Sequence, residues 1–485
     1  MYKKEFWFIT DKGKVIINPI QFADYLESIG IFRYYIDNDK TKGYVFIKKI
    51  KKRFIVQTPV DEIKTIVKND LLRRKQFVVA SHLLDNIKYF EIKFLSVLTP
   101  RKIPTIKDDK KTCYLFYKNT AVKITKKDIK IIKYKDLKGF VWINQVIKRD
   151  IKIKPESDGE YKTFVWRICG ENKKRYYTFK SVIGFLLHTY KHQAKNRVIV
   201  FNDLVVSDIA NGGSGKGIFH KAISHVKNIE TIDGKSFDPG NRFAYENINV
   251  DTQLIFFDDV KLSFNLSTLF SIITEGIKTE AKNMKPIFIP FEDSPKISIA
   301  TNYTLKGEGG SHQRRVFEVE MSDHYTATYN PEDEFGHLLF TDWDKGEWGR
   351  FDNYMIRAVQ LYLKKGLIVS STENLEQRKI IDNTNKDFFY MMKSIDFRES
   401  QIYFKTELKD KFIEEFPDYN QERWFKSRVF NRWVESYCKY EGLEFDNARY
   451  NGQVNLKIGP YKEGHQPLTK PNIKDIDINN DDLPF

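Results

Sequence analysis

The chain of 485 residues contains three cysteines, and long hydrophobic runs are missing from it. Cys113, Cys169 and Cys438 are far apart in sequence, so they indicate neither a set of disulfides nor a metal-binding cluster, and we expect a reducing compartment. No stretch approaches the length of a membrane span, and the first residues lack the apolar core of a signal peptide. We therefore expect a cytoplasmic protein with no membrane partner.

Basic and aromatic residues, by contrast, are abundant. Lysines and arginines number 81 against 65 aspartates and glutamates, which gives a net charge of +16, and 15% of the residues are aromatic. The aromatic content suits packed interiors, and the length predicts about three domains. The positive charge favours a polyanionic partner, although solubility alone would account for the same charge.

Composition and hydrophobic patterning divide the chain into five regions. In order, these are a basic α+β domain at 1–150, a helical linker or oligomerisation segment at 151–194, an α/β domain at 195–370, a winged-helix-like domain at 385–460 and a disordered acidic tail at 461–485. In the first region we expect hairpins at 6–17 and 44–57 and a helix from Pro19. In the second we expect a helix that begins with Thr178 as its N-cap.

The fourth region follows the order helix, helix, β-hairpin. We expect helices at 404–415 and 421–440, with Trp424 and Trp433 on the buried side of the second, and a hairpin turn at Asn451-Gly452. The outward side of the second helix is basic, which is typical of a DNA-binding winged helix. A small structural α+β appendage is the alternative.

A glycine-rich stretch predicts a phosphate-binding loop that opens into a helix. Backbone N–H groups of such a loop and the positive end of the helix attract phosphate oxygens, and the final lysine reaches the outer phosphates. The residues expected to bind the nucleotide are Asn211, Gly212, Gly213, Ser214, Gly215, Lys216, Gly217 and Ile218. The match is imperfect, because Ala210 replaces a glycine and Gly217 replaces the Ser or Thr whose hydroxyl usually binds magnesium.

Two strands further along the chain end in polar side chains. An apolar run at 254–257 ends in Asp258 and Asp259, and an acid at this place holds magnesium and polarises water. We assign the metal to Asp258 and expect ATP and Mg²⁺ as cofactors. The second strand ends at Asn302, whose amide suits orientation of the attacking water. With Lys216, these are candidate catalytic residues.

Arg314 and Arg315 follow a loop that contains two glycines. A guanidinium after such a loop suits a finger that reaches the γ-phosphate bound by a neighbouring subunit. We expect one of the two arginines to act in this way and the other to form an intramolecular salt bridge.

In this order and spacing the motifs resemble the superfamily 3 helicases of viruses, phages and mobile elements, and more closely the ATPase of phage and poxvirus-type primase-helicases. The resemblance lies within about 195–325 and is carried by NGGSGKGIF, LIFFDDV, TEGIKTEAKNMKPIFIPFEDSPKISIATNY and SHQRRVFEVE. It implies an α/β P-loop ATPase core that is AAA+-like, here combined with an α+β N-terminal domain and a C-terminal winged-helix-like domain. It also implies a homo-hexamer around single-stranded DNA, in a bacterial host cytoplasm.

The resemblance further implies a hairpin whose lysine grips DNA in the pore of the ring. The candidates are Lys278, Lys282 and Lys285, and solvation of a loop is the alternative interpretation of these lysines. Asp259 stands where these proteins more often have glutamate, so a general base at this position must approach its water more closely.

The function that we expect is that of an ATP-dependent helicase or translocase on single-stranded and forked DNA, in the replication of a phage or mobile element. The alternatives are an initiator ATPase that melts an origin without processive unwinding, and a non-catalytic DNA-binding adaptor. A primase-helicase is a further alternative, because Asp37, Asp39 and His82 faintly resemble the acidic pair and histidine of a primase. A hairpin turn explains the two aspartates better.

The last residues resemble the acidic tip of bacterial single-stranded-DNA-binding proteins. They are Asp481, Asp482, Leu483, Pro484 and Phe485. Carboxylates in such a tip would meet a basic rim while the final aromatic ring fills an apolar pocket. We therefore expect docking onto host replication or repair proteins that bind that tip, and an acidic tail without a partner is the alternative.

Overall fold

The structure of the protein is a computed structural model, which describes most of the chain. The described residues are 5–36, 42–51, 53–203, 213–261, 263–281, 286–303, 305, 310–370, 373–397, 401–404, 406–450 and 453–462. Several residues of the sequence analysis lie outside this part, namely Asp37, Asp39, Ala210, Asn211, Gly212, Lys282, Lys285, Asn451, Gly452 and 463–485, which include Asp481, Asp482, Leu483, Pro484 and Phe485. Among the described helices, none has the length and apolar character needed to cross a bilayer.

The amino-terminal part combines hairpins with helices. Its elements are β1 (Trp7–Ile9), β2 (Val15–Ile17), α1 (Pro19–Ser28), β3 (Ile31–Tyr34), β4 (Val45–Ile50), β5 (Phe54–Gln57), α2 (Val60–Arg73), α3 (Phe77–Asp85) and α4 (Ile92–Leu95). Both predicted hairpins are confirmed, because β1 pairs with β2 and β4 with β5, each antiparallel. The helix predicted at Pro19 is confirmed too, and Asn18 caps it by accepting hydrogen bonds from two N–H groups.

A second set of strands follows. Its members are β6 (Thr112–Tyr117), β7 (Ala121–Thr125), β8 (Ile129–Ile132), β9 (Val141–Trp142) and β10 (Val146–Ile147). Strands β6 to β8 form an antiparallel meander, and β10 adds to it in parallel beside β6. Strand β9 instead extends the sheet of β3, β4 and β5.

The central part is built on a parallel sheet. Its elements are α5 (Glu160–Ile168), α6 (Lys173–Leu187), β11 (Val198–Asp203), α7 (Lys216–Ser224), β12 (Ile229–Asp233), β13 (Leu254–Val260), α8 (Phe270–Thr274), β14 (Gly276–Thr279), β15 (Ile287–Pro290), β16 (Lys296–Thr301), α9 (Gly310–Arg315), β17 (Val316–Met321), α10 (Pro331–Phe335) and α11 (Lys345–Lys365). The sheet has the order β12-β13-β16-β11-β17, with every neighbour parallel. The predicted α/β core is confirmed, and the carboxyl ends of all five strands lie at one edge.

Helix α6 lies in the interior of this part. It begins at Lys173 with Asn172 as its cap, so the predicted start at Thr178 is wrong. The Thr178 hydroxyl instead donates to the carbonyl of Lys174 at 3.2 Å, as threonines do inside helices. Helix α6 packs closely on α11, because a Cβ at Gly184 would overlap the carbonyl of Ala358.

The largest buried cluster crosses the predicted boundary at residue 150. It joins apolar residues of β6 and β7, such as Leu115 and Ile124, to α5, α6, α7 and α11. The meander therefore packs directly on the central part, and the limits of the five regions stay a prediction.

The carboxyl-terminal part has its own core. Its elements are α12 (Glu373–Asn383), α13 (Lys386–Ser394), β18 (Gln401–Phe404), α14 (Glu407–Glu415), α15 (Ser427–Glu441), β19 (Leu443–Tyr450) and β20 (Gln453–Tyr461). Strands β18, β20 and β19 form an antiparallel sheet, which includes the predicted hairpin of β19 and β20. The helix predicted from 421 begins only at Ser427, and Trp424 lies before it with half of its surface exposed. Phe430, Trp433 and Tyr437 form the buried side of α15.

Candidate nucleotide site

The glycine-rich loop meets α7 with left-handed backbone at two glycines. Gly213 has φ +110° and Gly215, the N-cap of α7, has φ +95°. A Cβ at Gly215 would lie 2.9 Å from Cζ of Phe164, so only glycine fits between the loop and α5. Among the described residues no side chain caps this helix, whose first N–H groups therefore suit an anion.

Lys216 reaches across the carboxyl edge of the sheet. Its Nζ lies 2.5 Å from Oδ2 of Asp203, the last residue of β11, and 2.7 Å from Oδ1 of Asn302, which follows β16. Side chains of Lys216 and Asp203 are both mostly buried, which strengthens their attraction. The sequence analysis missed Asp203, although an acid that ends the strand before the loop was a usable signal.

Asp258 stands at the same edge, at the end of β13. Its backbone is in register with Asp233 of β12, and its side chain remains open to solvent on one side. Partial burial raises the pKa of the Asp258 carboxyl, and the negative charge of Asp259 raises it further, while Lys216 acts in the opposite direction.

Asp259 leaves the regular strand. Its φ is +51°, and the register between β13 and β16 shifts from Phe257 to Val260, as at a β-bulge. The bulge turns the side chain so that Oδ2 lies 2.5 Å from Nζ of Lys235, while Oδ1 accepts from Nδ2 of Asn302 at 3.3 Å. The carboxylate also raises the pKa of Lys235, a partner that the sequence analysis missed.

His220 of α7 connects this helix to the sheet. Its Nδ1 lies 2.8 Å from the carbonyl of Lys216, and its Nε2 lies 2.6 Å from Oγ of Ser298 on β16. The imidazole also stacks on Phe256 of β13, with ring centroids 3.6 Å apart. Burial lowers the pKa of His220 to about 3, so the ring is neutral at pH 7. It packs between α7 and the sheet.

The two arginines lie at the opposite end of the sheet, where its parallel strands begin. They end α9 just before β17, and Val316 of β17 pairs in register with Val198 at the start of β11. Five residues of strand separate Val198 from Asp203, which is about 16 Å at the usual rise. Arg314 is exposed, whereas Arg315 is half-buried with its guanidinium carbon 5.1 Å from the ring centre of Phe270.

Strands β14 and β15 form the antiparallel hairpin in which the pore lysines were predicted. Lys278 lies opposite Phe288 in this hairpin, and its side chain is exposed. Lys282 and Lys285 belong to the connection between the two strands, outside the described residues. Glu280, at the end of the hairpin, forms an ion pair with Arg242.

The site as a whole fits a nucleoside triphosphate with magnesium. Within the described part of the chain, no three acidic, histidine or cysteine side chains form a metal cluster. Magnesium needs no such cluster, because it is commonly held by one or two carboxylates, water and phosphate oxygens. Asp258 is an exposed carboxylate at the carboxyl end of β13, and Lys216 with the first N–H groups of α7 supplies positive charge and hydrogen-bond donors that suit phosphate.

Comparisons with known proteins give structural neighbours only. No protein-family profile matches the chain, and no curated protein matches its sequence. The chain resembles the apo structure of the NrS-1 C-terminal region with a TM-score of 0.42 and 13% identity, over 91% of this chain and 98% of that one. It resembles the X-ray structure of JCV helicase with a TM-score of 0.26 and 14% identity, over 48% of this chain and 63% of that one. These TM-scores are below 0.5 and do not establish a common fold.

Proposed function

We propose that the protein is an ATP-dependent DNA helicase or translocase of the superfamily 3 type, which acts in the replication of a phage or mobile element. The observation that carries the proposal is the convergence of Lys216, Asn302 and the Asp258–Asp259 pair at one edge of the sheet. The strand that ends at Asn302 lies between the strand before the loop and the acidic strand. This order lets the asparagine contact the phosphate-binding lysine and the carboxylate at once.

Each residue of the site has a separate role in the proposed hydrolysis. Lys216 and the amino end of α7 bind the phosphates, and Lys216 leaves Asp203 for the γ-phosphate when nucleotide enters. Asn302 holds the attacking water, with its orientation fixed by Lys216 and Asp259. Asp259 accepts the proton of that water. Bound magnesium would neutralise charge on the β- and γ-phosphates.

Because no hydroxyl follows Lys216, we propose that Asp258 binds the metal. Gly217 offers no oxygen, so Asp258, directly or through water, is the protein ligand that we propose for magnesium. Loss of magnesium-dependent hydrolysis in Asp258→Asn would support this role, and an unchanged dependence on magnesium would refute it.

The position of the two arginines supports an AAA+-like ring in which two neighbouring subunits form each nucleotide site. Arg314 and Arg315 are about 16 Å of strand away from the edge that carries Lys216, so they serve a nucleotide on another subunit more readily than their own. We therefore propose a homo-hexamer in which each site combines Lys216 of one protomer with an arginine of the next.

DNA contacts are proposed at two places. The hairpin of β14 and β15 presents Lys278 to solvent and leads into Lys282 and Lys285. The carboxyl-terminal part has the order α13, β18, α14, α15, β19, β20, and α15 exposes Arg428 and Arg432 on the side away from its core. This order and the basic face support a winged helix that binds duplex DNA at a fork or origin.

The test measures ATP hydrolysis with and without single-stranded DNA, in the wild type and in Lys216→Ala. We expect hydrolysis that DNA stimulates and that Lys216→Ala abolishes, and absence of hydrolysis in the wild type would instead favour a non-catalytic adaptor. Strand displacement on a forked duplex then separates a helicase from an initiator ATPase. Hydrolysis without displacement would favour the initiator.

A further inference from the structure

One cavity formed by the described residues lies away from the nucleotide site. Its volume is about 810 Å³, and three segments of chain form its walls: the β6–β7 turn, the chain after β10 and the first turns of α11. His225, the C-cap residue of α7, also lines this cavity. Helix α7 begins at Lys216 and has nine residues, so the cavity lies about 14 Å along the helix from the phosphate loop.

Exposed lysines surround this cavity, which we call the lysine groove. They are Lys118, Lys148, Lys152, Lys154 and Lys345. Within the described part of the chain, none of these five side chains forms an ion pair, and Asp150 is the one carboxylate among the lining residues. The two lining arginines are already neutralised, because Arg149 pairs with Asp352 and Arg350 with Glu347. The groove therefore keeps a strong excess of positive charge.

The backbone that carries three of these lysines is held rigidly. Asn353 of α11 accepts a hydrogen bond from the N–H of Lys154 at 2.8 Å and donates one to the carbonyl of Lys152 at 3.1 Å. Asn119 binds both the N–H and the carbonyl of Ile151, each at 3.1 Å. A cationic row fixed in advance loses little conformational freedom when it binds an anion.

Arg149 also holds this segment in place, through hydrogen bonds to α11 and to the end of α7. Its guanidinium donates to both carboxylate oxygens of the buried Asp352 and, at 3.0 Å, to the carbonyl of His225. Exposure alternates along this segment, with Lys148, Asp150, Lys152 and Lys154 exposed and the residues between them turned inward. The exposed side chains of this segment therefore lie on the side that faces the groove. A row of this kind suits a polymer with repeating charges.

The floor of the groove contains aromatic rings. Trp348 lines it, with the guanidinium carbon of Arg149 4.4 Å from the ring centre, and His225 packs against Trp348 edge to face. Burial lowers the pKa of His225 to about 4, so the imidazole carries no charge at pH 7. Cations at the rim and flat apolar rings below are the combination that binds the backbone and bases of single strands.

We propose that the lysine groove is a binding surface for single-stranded DNA, separate from the β14–β15 hairpin. An acidic peptide would also meet the lysines, but the aromatic floor favours bases beside a phosphate chain. The inference goes beyond the proposed hydrolysis cycle, because binding here requires neither nucleotide nor Lys216.

The test uses the full chain and a fluorescent oligo-dT of twenty nucleotides, without nucleotide, over a series of salt concentrations. The variant combines Lys148→Ala, Lys152→Ala and Lys154→Ala, and the matched control combines Lys364→Ala and Lys365→Ala, exposed lysines at the other end of α11. We expect the variant to bind about tenfold more weakly and its slope of log K against log [salt] to fall by about two. The control should bind like the wild type.

Three further results decide the outcome. Unchanged affinity and salt dependence in a variant with the wild-type melting temperature would overturn the proposal. An equal loss of binding to polyglutamate would overturn the assignment to nucleic acid. Repeating the measurement in a Lys216→Ala background separates this surface from the proposed ATPase, because the groove must bind DNA there as it does in the wild type.

Discussion

The Nζ atom of Lys216 lies 2.7 Å from Oδ1 of Asn302, whose Nδ2 atom in turn donates to Asp259. The amide is therefore held by a cation on one side and a carboxylate on the other. Since Lys216, which we propose binds phosphate, and Asp259, the proposed base, both contact it, Asn302 has the position that the proposed role in orienting water requires.

We predict that Asn302→Ala lowers kcat for ATP hydrolysis by about 100-fold, because the water loses its orientation. Affinity for a fluorescent ATP analogue should change little, since Lys216 and the amino end of α7 remain. Tyr303→Phe, at the next and more exposed position, is the control and should keep wild-type rates. A fall in nucleotide affinity that accounts for the whole effect would show that Asn302 serves binding alone.

Sequence spacing indicated Lys216, Asp258, Asp259 and Asn302 as parts of one site, and the structure brings them together. The reason is topological, because motifs that end parallel strands meet at one edge of the sheet. Spacing alone does not say which strands are neighbours.

Two residues of the site escaped the sequence analysis for different reasons. Asp203 was overlooked although it ends the strand directly before the glycine-rich loop, whereas Lys235 contacts Asp259 because the chain bulges at Asp259. A left-handed φ at Asp259 leaves no mark in the sequence, since aspartate is common outside that conformation as well.

Helix starts and buried faces were predicted less well than strands. Asn172 and Thr178 are both good N-caps, and the apolar residues from 176 onward decide for the earlier one, because the extra turn buries Tyr176 and Tyr177. Trp424 was assigned to the buried side of a helix that begins only after it. Phe425 instead fills that place in the core.

Gly217 offers a direct test of the missing magnesium ligand. Its Cβ position meets nothing within 4 Å, and its φ lies outside the left-handed region, so serine fits there without strain. We predict that Gly217→Ser lowers the magnesium concentration needed for half-maximal hydrolysis, because the added hydroxyl lies where this loop usually supplies a ligand. Gly217→Ala is the matched control and should leave that concentration unchanged.

Both substitutions at Gly217 should also stabilise α7. Replacing a glycine whose backbone other residues can adopt stabilises a protein by about 0.4–1 kcal/mol, because the unfolded chain loses conformational freedom, so we expect a small rise in melting temperature. Gly215→Ala should do the opposite and weaken nucleotide binding, since its φ is left-handed and its Cβ would press on Phe164. Equal magnesium dependence in Gly217→Ser and Gly217→Ala would contradict a metal beside this position.

The acid limb of magnesium-dependent nucleotide binding should report Asp258. Burial, and then the charge of Asp259, raise the pKa of Asp258, so its carboxylate takes up a proton at a higher pH than an ordinary aspartate. Magnesium needs the ionised form, and binding is therefore lost as the pH falls through this raised pKa. Removing the neighbouring charge in Asp259→Asn should move the loss to lower pH.

The measurement is the magnesium concentration that half-saturates binding of a non-hydrolysable ATP analogue, taken between pH 4.5 and 8. Binding is used because Asp259→Asn should abolish turnover. Asp323→Asn, an exposed carboxylate beyond β17, is the control and should leave the profile in place. A profile that is the same in Asp259→Asn and the wild type would mean that Asp258 does not hold the metal.

We expect Arg315→Ala to affect mainly stability and Arg314→Ala to affect mainly the rate of hydrolysis. Arg315 is half-buried against Phe270, so Arg315→Ala should lower the melting temperature through lost packing and a lost cation–π contact. Arg314 is exposed at the edge of the sheet away from its own loop. We predict that Arg314→Ala keeps the stability and nucleotide affinity of the wild type and lowers kcat by about 1,000-fold or more.

Mixing two inactive variants tests whether the site is shared. A protomer with Lys216→Ala still offers Arg314, and a protomer with Arg314→Ala still offers Lys216, so some interfaces in a mixed ring contain both groups. We predict that the mixture recovers part of the hydrolysis that each variant lacks alone. Recovery with Arg315→Ala in place of Arg314→Ala would assign the finger to Arg315, whereas no recovery with either would place the arginine and the lysine of each site in the same chain.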